Sequence, residues 1–181
     1  MHGWILTARC TCASSRSLSG ACAEVFLNRG LGYGTYAVTV RDASHFEPAV
    51  VFSMITFDES GGDQYYRELD VEISRWGDAA SKNNAQYGVQ PFYIPRNVFQ
   101  FNVPSGPVTH LMRWESGRAS FKSVKGPSVS GTTVIAQHEF TSSIPSPGRE
   151  RAYLVFYIVP SEKYPIQKGS EVVIDKFEYL P

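Results

Sequence analysis

Between Glu68 and Ile73 the chain alternates without a break: Glu68, Asp70 and Glu72 are acids, and Leu69, Val71 and Ile73 are aliphatic. In a β-strand successive side chains point to opposite faces. The pattern therefore calls for a sheet with one face in an apolar core and the other lined by three carboxylates. At ~3.3 Å per residue the Cα atoms of Glu68 and Glu72 stand roughly 13 Å apart, with Asp70 between them.

The same two-residue rhythm runs through the rest of the 181 residues, and no segment carries a 3.6-residue stripe. It predicts strands at Trp4–Thr11, Ala21–Asn28, Tyr33–Arg41, Ala49–Phe57, Arg67–Arg75 and Ala85–Phe92. Six more follow at Val98–Val103, His110–Glu115, Ala119–Val124, Val134–Phe140, Arg151–Val159 and Glu171–Leu180. Gly/Pro turns such as Glu59-Ser60-Gly61-Gly62-Asp63 and Pro104-Ser105-Gly106-Pro107 separate them. Many short strands with such turns predict an all-β sandwich or jelly roll. No repeat or linker divides the chain, so a single domain is expected over residues 1–181.

Composition narrows the function. Seventeen basic residues balance seventeen acidic ones, with no basic stripe, which argues against an electrostatic nucleic-acid binder. No stretch reaches 18 apolar residues, so no membrane span is expected. The first residues lack the charged segment and apolar run of a secretion signal. Cys10, Cys12 and Cys22 allow at most one disulfide, from Cys22 to either of the others. The histidines at 2, 45, 110 and 138 have no metal-ligand spacing, and no metal or cofactor is expected. Gly30-Leu31-Gly32-Tyr33-Gly34 looks like a phosphate loop, but a strand follows it where a helix would be needed. Serine-nucleophile chemistry has no elbow motif in its favour.

The acidic row is either the wet face of an antiparallel sheet or a site. Like charges on a wet strand are usually diluted with Thr, Lys or Arg, and here only acids occupy the face. Three adjacent carboxylates repel one another, which raises at least one pKa. Glutamates at this spacing can bring their carboxyl groups to about 5–5.5 Å, the separation used in retaining glycoside hydrolysis. Trp76 keeps the parity of the row and is either a sugar-stacking ring or a rim residue. Asn83, Asn84, Gln86 and Gln90 bring neutral hydrogen-bonding groups in the next segment. His110, Met112 and Trp114 share one strand face, either a packed or a binding one. The candidate substrate contacts are thus Trp76, Asn84, Gln86, Gln90, His110 and Trp114.

With these residues in view, the chain resembles glycoside hydrolase family 16, which includes β-glucanases, laminarinases, agarases and carrageenases. Glu68-Leu69-Asp70-Val71-Glu72 matches the family's Glu-x-Asp-x-Glu strand. Tyr33-Gly34-Thr35-Tyr36, His110-Leu111-Met112-Arg113-Trp114, Ser120-Phe121-Lys122-Ser123-Val124 and the closing Val172–Tyr179 segment resemble its flanking strands in order. The resemblance covers about residues 4–181 and implies a concanavalin-like jelly roll of two curved sheets with a concave cleft. It implies Glu68 as nucleophile, Glu72 as general acid and base, and Asp70 as the group that tunes both.

Some relatives hold a structural Ca²⁺, but no acidic cluster outside the triplet marks such a site here. The chain is shorter than most members, so an N-terminal strand and any signal peptide are expected to be missing. Segment 49–59 carries no Trp where many members place subsite rings, which leaves Trp76 with Phe92 or Tyr93 for stacking. The expectation is a monomeric, retaining endo-glycosidase or transglycosylase acting on a β-linked polysaccharide by double displacement, with an extracellular setting suggested by the substrate class alone. The alternatives are a carbohydrate-binding module on the same sandwich, or a structural adhesion or coat domain.

Overall fold

The computed structural model describes residues 4–8, 21–60, 65–159 and 170–181. Its strands are β1 (Trp4–Ala8), β2 (Ala21–Phe26), β3 (Gly34–Val40), β4 (Val50–Phe57), β5 (Leu69–Ile73) and β6 (Ala85–Val89). They continue with β7 (Val98–Phe101), β8 (Val108–Glu115), β9 (Arg118–Lys125), β10 (Val134–Phe140), β11 (Arg151–Ile158) and β12 (Val172–Leu180). Two six-stranded sheets result, in the orders β1-β12-β3-β8-β9-β10 and β2-β11-β4-β5-β6-β7. Neighbouring strands pair antiparallel throughout. The all-β jelly-roll sandwich expected from the periodicity is the fold observed. Cys10 and Cys12 lie outside the described residues, and so does the Cys22 side chain.

The core forms where the inner faces of the sheets meet. Leu69, Val71 and Ile73 of β5 are each at most 2 % exposed and lie in one cluster with Met54, Tyr87, Tyr36, Val38 and Trp114. Parity then sends Glu68, Asp70 and Glu72 to the outer face of the second sheet. Burying aliphatic chains of this size stabilises the fold by about 1.5–3 kcal/mol each, far more than a one-residue slip of β5 could recover. The hydrophobic half of the alternation thus fixes where the acidic half points.

Two expected substrate contacts are corrected here. His110 and Trp114 belong to β8 in the opposite sheet, face the core and are fully buried. The Trp114 indole N–H donates to the Pro145 carbonyl at 3.0 Å. His110 Nδ1 lies 2.7 Å from Ser123 Oγ, which is 2.6 Å from the Tyr87 hydroxyl, so a short polar link crosses the core. Burial pushes the His110 pKa down to about 3 and keeps the ring neutral. Here the His-x-Met-x-Trp alternation records packing.

Leu69→Ala should lower unfolding stability by about 3 kcal/mol, because no exposed position is available to the lost side chain. Urea denaturation measures this, and a loss below about 1 kcal/mol would place Leu69 outside the core.

Candidate active site

The acidic row is held at both ends. At its start Tyr66 and Arg67 adopt positive φ values of 60° and 53°, so β5 begins at Leu69 rather than at Arg67 as periodicity predicts. The Arg67 guanidinium holds the turn, donating to Asp58 Oδ2 at 2.7 Å and to the Ser146 carbonyl at 3.0 Å. Thr56 Oγ1 donates to the Arg67 carbonyl and accepts from the Leu69 amide. Glu68 is thereby placed beside Gln90, whose backbone amide donates to the Glu68 carbonyl at 3.2 Å.

At the other end the chain bends back through Trp76 (φ 46°) and Gly77 (φ 81°). Ser74 Oγ accepts from the Trp76 amide at 2.8 Å. The bend carries the indole over Glu72, and Trp76 Nε1 donates to Glu72 Oε2 at 2.9 Å. Gln86 of β6, opposite Glu72 in register, donates from Nε2 to the same oxygen at 2.8 Å. Tyr157 of β11 donates its hydroxyl to Glu72 Oε1 at 3.1 Å. Glu72 is thus 8 % exposed and faced by three donors.

The other two acids are held more loosely. Gln90 Nε2 donates to Glu68 Oε2 at 3.3 Å. Asp70 is 1 % exposed, and its Oδ1 has no hydrogen-bond partner among the described residues. Gly88 stands opposite Asp70 on β6, and the Phe92 ring lies over it. A Cβ at position 88 would meet Phe92 Cε1 at 2.7 Å and Asp70 Oδ1 at 3.3 Å. The glycine is what lets an aromatic ring roof the middle of the row.

Burial dominates the electrostatics. It pushes the Glu68 pKa up to about 7, against the lowering effect of Gln90 and with help from the Glu72 charge. Asp70 is pushed well above the usual carboxylate range by burial first and then by the charges of Glu72 and Glu68. Glu72 is also raised by burial, with Trp76, Tyr157 and Gln86 opposing the rise. All three carboxylates are thus held above the usual carboxylate range, and the row keeps protons to higher pH than free acids would. Such a row offers a nucleophile and a proton donor side by side, the inventory of acid–base and covalent chemistry.

Of the residues singled out in the sequence, the structure brings together Glu68, Asp70, Glu72, Trp76, Gln86 and Gln90 on one face. Asn84 is corrected: its amide donates to the Val103 carbonyl at 3.0 Å and accepts from the Val103 amide at 2.7 Å. Both ends of that side chain tie the strand to the next segment. Tyr157 escaped the sequence reading because β11 after Arg151 is apolar or aromatic on both faces, so its alternation marks no wet side. Among the described residues no group of three or more His, Cys, Asp or Glu is arranged to hold a metal.

No protein-family model matches the sequence, and no curated protein matches it either. Solved structures do match. A Bacillus licheniformis β-glucanase aligns with a TM-score of 0.65 at 13 % identity, over 87 % of this chain and 71 % of that one. A κ-carrageenase from Pseudoalteromonas carrageenovora, solved with an oligotetrasaccharide of κ-carrageenan, aligns at 0.55 and 15 % identity over 86 % and 66 %. The Crh5 transglycosylase in complex with NAG aligns at 0.54 and 11 % identity over 94 % and 76 %. At these identities the likeness establishes the fold: the chain has the jelly-roll sandwich of the glucanase and carrageenase structures, the group it resembles in sequence.

The raised Glu68 pKa has a consequence for stability. Between the ordinary value of 4.5 and about 7 the folded protein binds more protons than the unfolded chain. Stability from this group therefore falls as pH rises through that window and is not regained above it. Glu68→Gln should be more stable than the parent at pH 8, by up to about 3 kcal/mol at ~1.36 kcal/mol per pKa unit, and should lose the advantage at pH 4. Equal melting-temperature differences at the two pH values would contradict the burial of this charge. Gly88→Ala should lower stability by about 1–3 kcal/mol, since Phe92 must move; thermal melts check it.

Proposed function

We propose that the protein is a retaining glycoside hydrolase or transglycosylase that cleaves within a β-linked polysaccharide. The observation that carries this reading is the row of three carboxylates along β5 and its first flanking residue, Asp70 and Glu72 buried and Glu68 partly so, flanked by neutral amides on a fold shared with glucanases. A carbohydrate ring is neutral and rich in hydroxyls, and Gln86 and Gln90 offer it partners without adding charge to the row.

In this reading Glu68 attacks the anomeric carbon. Among the described residues its carboxylate accepts one long hydrogen bond, which leaves a lone pair for the attack. Glu72 gives its proton to the glycosidic oxygen as the C–O bond breaks, and the bond electrons leave with that oxygen. In the second half Glu72 takes a proton from water or from a sugar hydroxyl, whose oxygen displaces Glu68. Asp70, kept protonated by burial, adds no third charge and eases the ionisation of its neighbours. The κ-carrageenase neighbour holds an oligosaccharide, which fits a polymer substrate here.

Reducing-sugar release from β-glucans, agar, carrageenan and xyloglucan tests the proposal. One polymer should be cut with oligosaccharides as first products, and NMR of the nascent product should show the anomeric configuration retained. Glu68→Gln and Glu72→Gln should each lower kcat by about 10³-fold or more with the fold intact, and Asp70→Asn by less. An inverted product would rule out the covalent intermediate. Polysaccharide binding with no turnover by the parent would favour the binding-module alternative.

The pH dependence has a definite sign. Activity needs Glu68 ionised, so kcat/KM should rise with pH, pass half its limit near 7, and fall again at higher pH as the remaining proton leaves the row. Activity fully developed at pH 4 would contradict the raised Glu68 pKa.

A further inference from the structure

Glu72 is faced by three donors, and they are not equivalent. The Trp76 indole N–H can only donate, and so can the Gln86 amide nitrogen. Both point at Oε2, from 2.9 Å and 2.8 Å. An oxygen receiving two donors has little room for a proton of its own. Oε1 has one partner among the described residues, the Tyr157 hydroxyl at 3.1 Å. A hydroxyl both donates and accepts and turns about its C–O bond. Burial and the neighbouring carboxylates hold the Tyr157 pKa above its ordinary value, so the hydroxyl keeps its proton throughout.

We propose that Tyr157 is the positioning residue for proton transfer by Glu72: it places the transferable proton on Oε1 and reverses its own hydrogen bond with each half of the reaction. This inference rests on the glycosidase reading above. In the acid form Glu72 Oε1–H donates to the Tyr157 oxygen until a glycosidic oxygen replaces it as acceptor. As the Oε1–H bond breaks, the proton goes to the leaving group and the electron pair stays on Oε1. The Tyr157 hydroxyl then turns to donate to the new carboxylate, a charge-assisted bond stronger than the one it replaces. When water or an acceptor hydroxyl delivers its proton to Oε1, Tyr157 turns back.

The surroundings leave this role to Tyr157. Along the row itself Asp70 and Glu68 are further acids, and among the described residues neither is hydrogen-bonded to Glu72: Asp70 Oδ1 has no partner and Glu68 Oε2 is met by Gln90. From β4 the register neighbour is Ser53, and from β6 it is Gln86, both neutral. Glu24 on β2 lies in the same row three strands from β5, with Val155 of β11 and Ser53 of β4 between it and Glu72. Val155 separates it from Ser53, so it offers Oε1 no proton exchange. Tyr157 is thus the group that can answer both states of Oε1.

Tyr157→Phe keeps the ring and removes the hydroxyl, which separates proton handling from sugar stacking. By ¹³C NMR of the labelled glutamates the Glu72 titration should move to higher pH, since the carboxylate loses a donor. On mixed-linkage β-glucan, or whichever panel polymer is cut, kcat should fall about 10–100-fold with KM little changed. With a 2,4-dinitrophenyl oligoglucoside, whose leaving group departs without a proton, the cleavage step should keep nearly the parental rate.

An unmoved Glu72 titration overturns the proposal, and so does an equal loss on polymer and aryl glycoside. A parent protein inert on every substrate would instead sink the glycosidase reading, and the NMR titration would still judge the Tyr157–Glu72 coupling. Should the variant not fold, ¹³Cζ-tyrosine NMR of the parent decides: the Tyr157 signal should follow the Glu72 titration, and a flat signal overturns the inference.

Discussion

The pleat of β5 is the constraint on which the rest depends. Three aliphatic side chains enter the core between the sheets, and the strand has no other way to bury them. The three acids are then committed to the opposite face at fixed spacing, whatever their mutual repulsion. Hydrophobic burial on one side of a single strand is the force that assembles a charge cluster on the other.

That cluster is costly, and the surrounding structure offsets the cost unevenly. Among the described residues Glu72 receives three donors, Glu68 one long one, and Asp70 Oδ1 none. The unevenness gives three chemically similar groups different surroundings, and the proposed roles draw on those differences. A group with a free lone pair suits attack, a group with oriented oxygens suits directed proton transfer, and a buried acid without a partner suits holding a proton. The Arg67–Asp58 pair at one end and the Trp76 bend at the other restrain the row, so these differences are built into the backbone as well as into the side chains.

Much of this was legible in the sequence. Twelve strand segments, the two-residue period and the orientation of β5 follow from alternation, because side-chain direction in a strand is a local property. Gln86 and Gln90 were legible for the same reason, since a neighbouring segment of matching parity shares the face. The failures have one cause. His110, Trp114 and Asn84 look like ligand contacts by residue type, yet parity cannot say which sheet a strand joins or which groups lie across the gap. His110 is neutralised by burial and linked to Ser123, and Asn84 is occupied by Val103.

By itself the sequence determined the fold class and the row of acids, because both are written in the alternation of neighbouring residues. Only the tertiary structure decided which side chains face that row. The Tyr157 hydroxyl reaches Glu72 from a strand 85 positions along the chain, and Phe92 roofs Asp70 only because Gly88 leaves room. Those contacts are set by strand order within the sheet, and strand order follows from burying every apolar face at once, a property of the whole chain that no local pattern carries.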